Sequence, residues 1–386
     1  MSLGLSAARR RRGDMPIAEK LWYVSWALVF IIFLVASVGF LMLYSAAGGN
    51  LSPWADRQIF RFGIGLCFLF VCALIDVRHF MRYAYIAYAV SLALLIGVEL
   101  KGEVGMGAQR WIDLGVFRLQ PSELMKIAMI LTLARYFHGA DFDEVRSVSF
   151  LFVPILLVTV PVLLVLRQPD LGTALLLVMG TGALLFMAGV RIWIFAFAGF
   201  SALAFIPVAW SMLREYQKNR VLTFLNPSND PLGTGYHITQ SKIALGSGGV
   251  FGKGYMQGTQ SHLNFLPEHQ TDFIFTMLGE EIGMIGGIGL LALYGLIIAY
   301  GYAVALRCRH QFGRLVAMGV ICNFFLYVFI NIAMVMGLIP VVGVPLPLVS
   351  YGGTAMITLM IGFGILMSAY VHRDVHIGRG GVFDDG

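Results

Sequence analysis

Charge is what this sequence has least of. Asp, Glu, Lys and Arg make up 12% of its 386 residues, against about a quarter in an ordinary soluble domain. With 58% of residues hydrophobic, the deficit excludes a single soluble globular domain. Cysteine is scarce as well. Cys67, Cys72, Cys308 and Cys322 lie in or beside apolar runs without metal-type spacing, so neither a disulfide framework nor a metal site follows, and all four read as small buried hydrophobes. No Walker-type or dinucleotide fingerprint stands in a strand-to-helix setting. A cleavable signal peptide is missing too, because the first apolar run is too long for a signal core and no small-residue cleavage site follows it. The net charge of +6 comes with no nucleic-acid motif, and the arginines gather at the edges of apolar runs, so membrane topology accounts for them and a nucleic-acid partner does not.

What the chain does have is apolar sequence in membrane-length pieces. Crossing about 30 Å of hydrocarbon takes about 20 residues. Ten runs are of that order: 22–47, 58–76, 82–99, 121–138, 149–167, 171–189, 191–213, 273–306, 313–337 and 354–372. Short-loop lysine and arginine orient them. Arg9 to Arg12 and Lys20 place the amino terminus in the cytoplasm, and Arg78, Arg82, Arg135, Arg146, Arg191, Arg307, Arg309, Arg314 and Arg373 fall on the same side. The expectation is an all-α polytopic membrane protein of about ten transmembrane helices, both termini cytoplasmic, with a large extracytoplasmic loop, 214–272, between helices seven and eight. By segments, 1–21 is a basic cytoplasmic lead, 22–372 a single transmembrane domain and 373–386 a cytoplasmic tail.

Two outer segments, 100–120 and 214–272, run against the charge bias with Lys101, Arg110, Arg118, Arg214, Lys218, Arg220, Lys242 and Lys253. Long loops escape the orientation rule. Their basic residues are either plain solvation or a vestibule for an anionic ligand. Lys242, Lys253 and the glycine-rich S-G-G-V-F-G-K-G stretch are the candidates to meet phosphate. At the fourth helix, Pro121 and Glu123 suit a first turn, and Glu123 with Lys126, at i and i+3, can pair on one face, as a structural couple or as part of a polar cavity. Pro169 stops helix five and Asp170 can cap helix six. The stretch 341–354 is apolar yet holds two prolines and three glycines, so it breaks the helical pattern and its backbone has to be buried in protein or line a cavity.

The densest polar stretch is 264–283, where Glu268, His269, Thr271 and Asp272 lead into a membrane helix that also holds Glu280 and Glu281. Carboxylates at a bilayer boundary are functional candidates. Alternatively Thr271 or Asp272 simply caps the helix. Glu280 and Glu281 read as structural acids. His262 and His269 lack zinc-like spacing to further ligands and read as loop histidines.

Taken in order, the motifs resemble the SEDS family (shape, elongation, division and sporulation) and its RodA-type branch over nearly the whole chain. The resemblance rests on R-W-I-D-L-G and Q-P-S-E-L-M-K within 109–126, Q-P-D-L-G-T-A at 168–174, Q-S-K-I-A-L-G-S-G-G at 240–249, L-P-E-H-Q-T-D-F-I-F at 266–275 and P-L-P-L-V-S-Y-G-G-T at 345–354. It implies a peptidoglycan glycosyltransferase that polymerises lipid II at the outer face of the bacterial inner membrane, for cell elongation and rod shape. Asp272 is then the catalytic residue. A carboxylate there can take the proton of an attacking sugar hydroxyl, and cations can stabilise the departing pyrophosphate. By resemblance, Arg110, Trp111, Glu123, Lys126, Arg220, Lys242, Glu268 and Ser350 line the substrate cavity. No cofactor is required by this reading, and a divalent cation on the leaving group stays open. The implied partners are a class B penicillin-binding protein transpeptidase and other elongation-complex membrane proteins, since the chain carries no S-x-x-K, S-D-N and K-T-G set of its own. The competing readings are a flippase or transporter of lipid-linked saccharides and a membrane scaffold without activity.

Overall fold

The computed structural model describes residues 16–105, 108–113, 118–213, 215–226, 234–263, 270–375 and 377–378. Sixteen helices account for most of them: α1 Ile17–Tyr23, α2 Trp26–Ala46, α3 Ala55–Leu74, α4 Val77–Lys101, α5 Pro121–His138, α6 Phe142–Val145, α7 Phe152–Arg167, α8 Leu171–Ala188, α9 Ile192–Met212, α10 Glu215–Leu225, α11 Thr234–Ser247, α12 Thr259–His262, α13 Ile274–Glu281, α14 Gly283–Arg307, α15 Gln311–Val335 and α16 Gly353–Val371. Seven of them (α2, α3, α4, α8, α14, α15 and α16) are long and apolar enough to cross a membrane, with α7 and Ile192–Val208 as shorter apolar helices. The chain is a multi-pass membrane protein.

Two helices form the middle of the bundle. In α15 and α16, 72% and 78% of the most apolar stretch is buried. Several of the helices around them bury only a stripe. In α2 it runs Leu28, Ile32, Val35, Ala36, Gly39, Met42 and Leu43, the three-to-four spacing of one helical face, while Phe30, Phe33 and Leu41 point outward. An apolar outer face is what lipid requires. α5 is less apolar, holding Glu123, Lys126 and Arg135, and it is the most enclosed of the outer elements, with Pro121 in its first turn and both Glu123 and Lys126 buried. Burial inside protein is what lets an ionised pair sit in a membrane helix.

The structure corrects the expected all-α outline in three places. Residues Glu103–Gly105 (β1), Ala108–Asp113 (β2) and Arg118–Leu119 (β3) form a small antiparallel sheet, with Glu103 opposite Trp111 and Asp113 opposite Arg118. The long segment 214–272 carries α10, α11 and α12. And the expected single helix 273–306 is broken at Ile282: α13 ends at Glu281 and α14 opens on Gly283, at φ +77°. Backbone from the glycine-rich loop fills the break. Lys253 N donates to Glu280 O and Gly254 N to Glu281 O, both at 3.0 Å, while Met284 N donates to Gly249 O at 3.0 Å and Ile285 N to Val250 O at 3.2 Å. Interrupted helix at membrane depth needs such partners. The glycines are there for close approach. A Cβ on Gly252, itself at φ +80°, would stand 2.1 Å from Glu281 O, and one on Gly248 2.0 Å from Gly279 O. Gly252→Ala is therefore expected to cost roughly 1–3 kcal/mol through strain and overlap, read as a lowered unfolding midpoint in detergent.

Among the cysteines, Cys72 and Cys308 are buried as expected, but Cys67 is exposed and Cys322 half-buried. Cys67 lies on the outward face of α3, where an apolar surround suits it as well as a core would.

At the end of the bundle opposite the broken segment, two imidazoles cap α15. Gly313 N donates to His310 Nδ1 at 2.8 Å and Phe312 N donates to His138 Nδ1 at 3.2 Å. Burial first, and His138 second, push His310 down to about 4 from its ordinary 6.5. The unfolded chain therefore binds more protons than the folded one between those values, so stability rises with pH across that window and is lost as pH falls from about 6.5 towards about 4. His310→Asn, which can cap without titrating, is expected to flatten that dependence in thermal unfolding measured from pH 7 to pH 4.

Candidate active site

The turn at 270–273 precedes α13, whose N-cap position falls on Phe273 and not on Thr271 or Asp272, the expected caps. Distant residues hold this turn. Ser350 Oγ donates to Thr271 O at 2.5 Å, Tyr351 N donates to Gln270 O at 2.9 Å, and Asn331 Nδ2 donates both to Asp272 O at 2.9 Å and to Val344 O at 2.7 Å. The proline-broken segment, irregular as its composition requires, thus grips the Asp272 turn. It is held in turn by α3, where Gln58 Nε2 donates to Ser350 O at 2.8 Å, and by α2, where Gly39 admits Val349 so closely that a Cβ would stand 2.7 Å from its Cα. Gly343, at φ +69°, lies beside the carboxylate: a Cβ there would be 3.3 Å from Asp272 Oδ2. Asp272 itself is half-buried.

Below this turn lies a buried charge cluster. Lys126 Nζ meets Glu123 Oε1 at 2.7 Å, with both side chains almost wholly enclosed. Tyr327 donates its hydroxyl to both oxygens of Glu123 at 2.8 and 2.7 Å and accepts from Lys126 Nζ, which also stands 4.3 Å from the centre of its ring. Thr358 Oγ1 adds a longer contact to Glu123 Oε2 at 3.4 Å. The pair expected from the i, i+3 spacing is formed. A narrow cleft lined by Tyr327, Leu346, Ser350, Gly352 and Ala355 among others lies between the cluster and the segment that grips the Asp272 turn.

Other expected site residues are elsewhere or already engaged. Arg110 on β2 donates from Nε to Gln168 O at 3.2 Å and from Nη2 to Pro169 O at 2.5 Å, with Asp170 Oδ2 3.8 Å from Nε, so it fastens the sheet to the α7–α8 turn. Asp170 caps α8 as its sequence suggests, accepting from Thr173 N at 3.1 Å. Trp111 is half-buried on β2. Lys242 is exposed on α11, lying over Gly337, where a Cβ would stand 2.3 Å from its Cε. The Arg220 side chain, Glu268 and His269 lie outside the described residues. The glycine-rich loop approaches the α13–α14 break, and Lys253, expected to meet phosphate, pairs with the buried Glu280 at 2.7 Å. Glu280 also accepts from Gln260 N at 3.0 Å, and Glu281 accepts from Ser45 Oγ at 2.6 and 2.8 Å and from Met256 N at 3.1 Å. Through these bonds Glu280 clasps the glycine-rich loop and Glu281 ties that loop to α2.

Gln58, Tyr327 and Asn331 were missed. A signal existed for two of them: Asn323, Tyr327 and Asn331 stand at i, i+4 and i+8 on α15, a polar line through an otherwise apolar helix, and all three are buried. Gln58 gives no such warning.

This arrangement has known counterparts. A family model described as "Cell cycle protein" and covering FtsW, RodA and SpoVE matches residues 25–375. The peptidoglycan glycosyltransferase MrdB of Escherichia coli K12 is 44% identical over 364 residues, 93% of this chain and 98% of its own. A solved structure described as "Structural coordination of polymerization and crosslinking by a peptidoglycan synthase complex" has a chain 34% identical, with a TM-score of 0.79 over 92% of this chain and 98% of that one. The crystal structure of the rod shape determining protein RodA from Thermus thermophilus gives 31% identity and a TM-score of 0.68 at the same coverage. The family model spans nearly the whole chain, and the chain belongs to the FtsW/RodA/SpoVE family.

Proposed function

We infer that this protein is a peptidoglycan glycosyltransferase that polymerises lipid II into glycan strands, with Asp272 as general base. One observation carries the site assignment: a carboxylate-bearing turn, gripped at its backbone carbonyls by Ser350, Tyr351 and Asn331, has its acid half-buried beside Gly343, in contact with the broken segment that lines the cleft. In the reaction the acceptor sugar 4-hydroxyl oxygen bonds to the donor's anomeric carbon as the bond from that carbon to the pyrophosphate oxygen breaks. The hydroxyl proton passes to Asp272, and the polyprenyl pyrophosphate departs with the electron pair. A carboxylate within reach of that proton supplies general-base assistance of about 10²–10⁴-fold.

The same reading places the chain in the bacterial inner membrane with ten crossings, both termini cytoplasmic, 22–372 as one transmembrane domain and 214–272 on the outer side. Lys20, Arg78, Arg135, Arg309 and Arg373 gathering at the end away from Asp272 support that orientation: Lys20 Nζ bonds Leu74 O, Arg135 bonds Met81 O and Arg309 N bonds Arg373 O. A class B penicillin-binding protein is the proposed partner, in keeping with a structural relative solved in a peptidoglycan synthase complex. The test is direct. Purified protein given lipid II, alone and with that partner, is expected to yield glycan polymer visible on a gel. No polymer under either condition, alongside lipid II translocation in sealed vesicles, would favour the transporter reading instead.

A further inference from the structure

Between α5, α8 and α15 lies a second, smaller cavity, lined by none of the residues named for the cleft beside the Asp272 turn. Its volume is about 10 Å³, and Lys126, Met129, Leu177, Thr181 and Asn323 are among the residues that line it. Every lining residue is buried except the half-buried Gly180. Most of the lining is apolar, and a wholly apolar cavity stays dry. This one carries three polar groups, one from each helix.

Thr181 of α8 is 6% exposed, and its Oγ1 is buried with no hydrogen-bond partner. A helical threonine can satisfy its hydroxyl on the carbonyl one turn back, as Thr159, Thr239 and Thr358 do here. Thr181 does not. Lys126 of α5 has three ammonium protons to place. Glu123 Oε1 and the Tyr327 hydroxyl take two of them, and among the described residues the third has no acceptor. Asn323 of α15, 5% exposed, brings a carboxamide that can donate or accept. An unpaired hydroxyl and an unpaired ammonium proton beside one enclosed space are each costly. One water molecule relieves both, accepting from Lys126 and bonding the hydroxyl of Thr181. The volume agrees, at the limit of about 10–15 Å³ for a single water, and three polar groups fall within the usual 2–4 partners. The ammonium repels a metal cation from the same place, and hydrocarbon would leave both polar groups unpaired.

We propose that this cavity is a binding site for one structural water, held by Lys126 Nζ, Thr181 Oγ1 and the Asn323 carboxamide. The water extends the Glu123–Lys126–Tyr327 cluster to Thr181, which has no direct bond to it, so α5, α8 and α15 share one polar network inside the bundle. The site goes beyond the transferase reading and stands whichever reaction the protein carries out.

The test uses the full chain in nanodiscs and brief X-ray radiolysis, which splits water into hydroxyl radicals where it sits. A bound water therefore oxidises the side chain next to it even where bulk solvent cannot reach. Met129 is the reporter, 2% exposed and lining the cavity, and its thioether is readily converted to the sulfoxide. Met367, fully buried and outside that lining, is the control. Met129 is expected to be oxidised several-fold faster than Met367. In Thr181→Val, which keeps the shape of the side chain without its hydroxyl, the rate at Met129 is expected to fall to that of Met367, and in Thr181→Ser to persist. Thermal unfolding gives an independent readout, because the two cases have opposite signs. With the water bound, Thr181→Val lowers the midpoint by about 1–4 °C; in a dry cavity the same change removes an unsatisfied hydroxyl and leaves the midpoint unchanged or raised. Oxidation of Met129 no faster than that of Met367, oxidation unaffected by Thr181→Val, or a midpoint that Thr181→Val does not lower each overturns the proposal.

Discussion

Asp272→Asn yields a folded protein that polymerises lipid II at least 10²-fold more slowly, if at all. The amide keeps the shape of the side chain but cannot accept the hydroxyl proton, and loss of a general base removes about 10²–10⁴ of rate. Folding is expected to survive because the bonds from Ser350, Tyr351 and Asn331 reach the carbonyls of Thr271, Gln270 and Asp272, which the substitution leaves in place. The measurements are polymer length and yield on a gel beside an unfolding curve in detergent. A variant within about threefold of the parent rate would move the base elsewhere.

The second large effect concerns stability. Glu123→Ala removes the carboxylate that Lys126, Tyr327 and Thr358 all face and leaves a buried ammonium uncompensated. Breaking one side of such a pair costs about 3–5 kcal/mol, whereas replacing both sides with apolar groups of similar volume is often nearly neutral. Glu123→Ala is therefore expected to lower the unfolding midpoint far more than the double change Glu123→Leu with Lys126→Met. Equal losses from the two would mean that the charges contribute only their volume. Because the cluster borders the cleft, the double variant is also expected to lose activity while regaining stability, which separates support of the site from support of the fold.

Local signals carried a good part of this. Apolar runs marked the helices because the hydrocarbon thickness fixes their length. Pro345 and Pro347 marked the broken segment because proline withholds a donor, and the spacing of Glu123 and Lys126 marked their pair because helix geometry puts i and i+3 on one face. What stayed hidden was set by distant partners. Nothing near Arg110 says that its fork is taken by carbonyls 58 and 59 residues away, or that Lys253 belongs to Glu280. Gly283 looks like any other glycine of its helix until the loop at 249–254 is placed against it. The three short strands of 103–119 are too brief for alternation to register. Gln58 lies 292 residues from the carbonyl it holds, and no local pattern reports such a bond.

That last separation bears on how the protein is made. The broken segment beside the site is held from Gly39 and Gln58 at one end of the chain, while Gly343 to Gly353 lie at the other. During synthesis the first membrane helices are laid down and then wait, with their inward faces open, until the ribosome has produced almost the entire polypeptide. No partial product holds a closed site. Premature termination anywhere before the final helix therefore leaves a fragment in which Gln58 and the notch at Gly39 lack the segment they pack against.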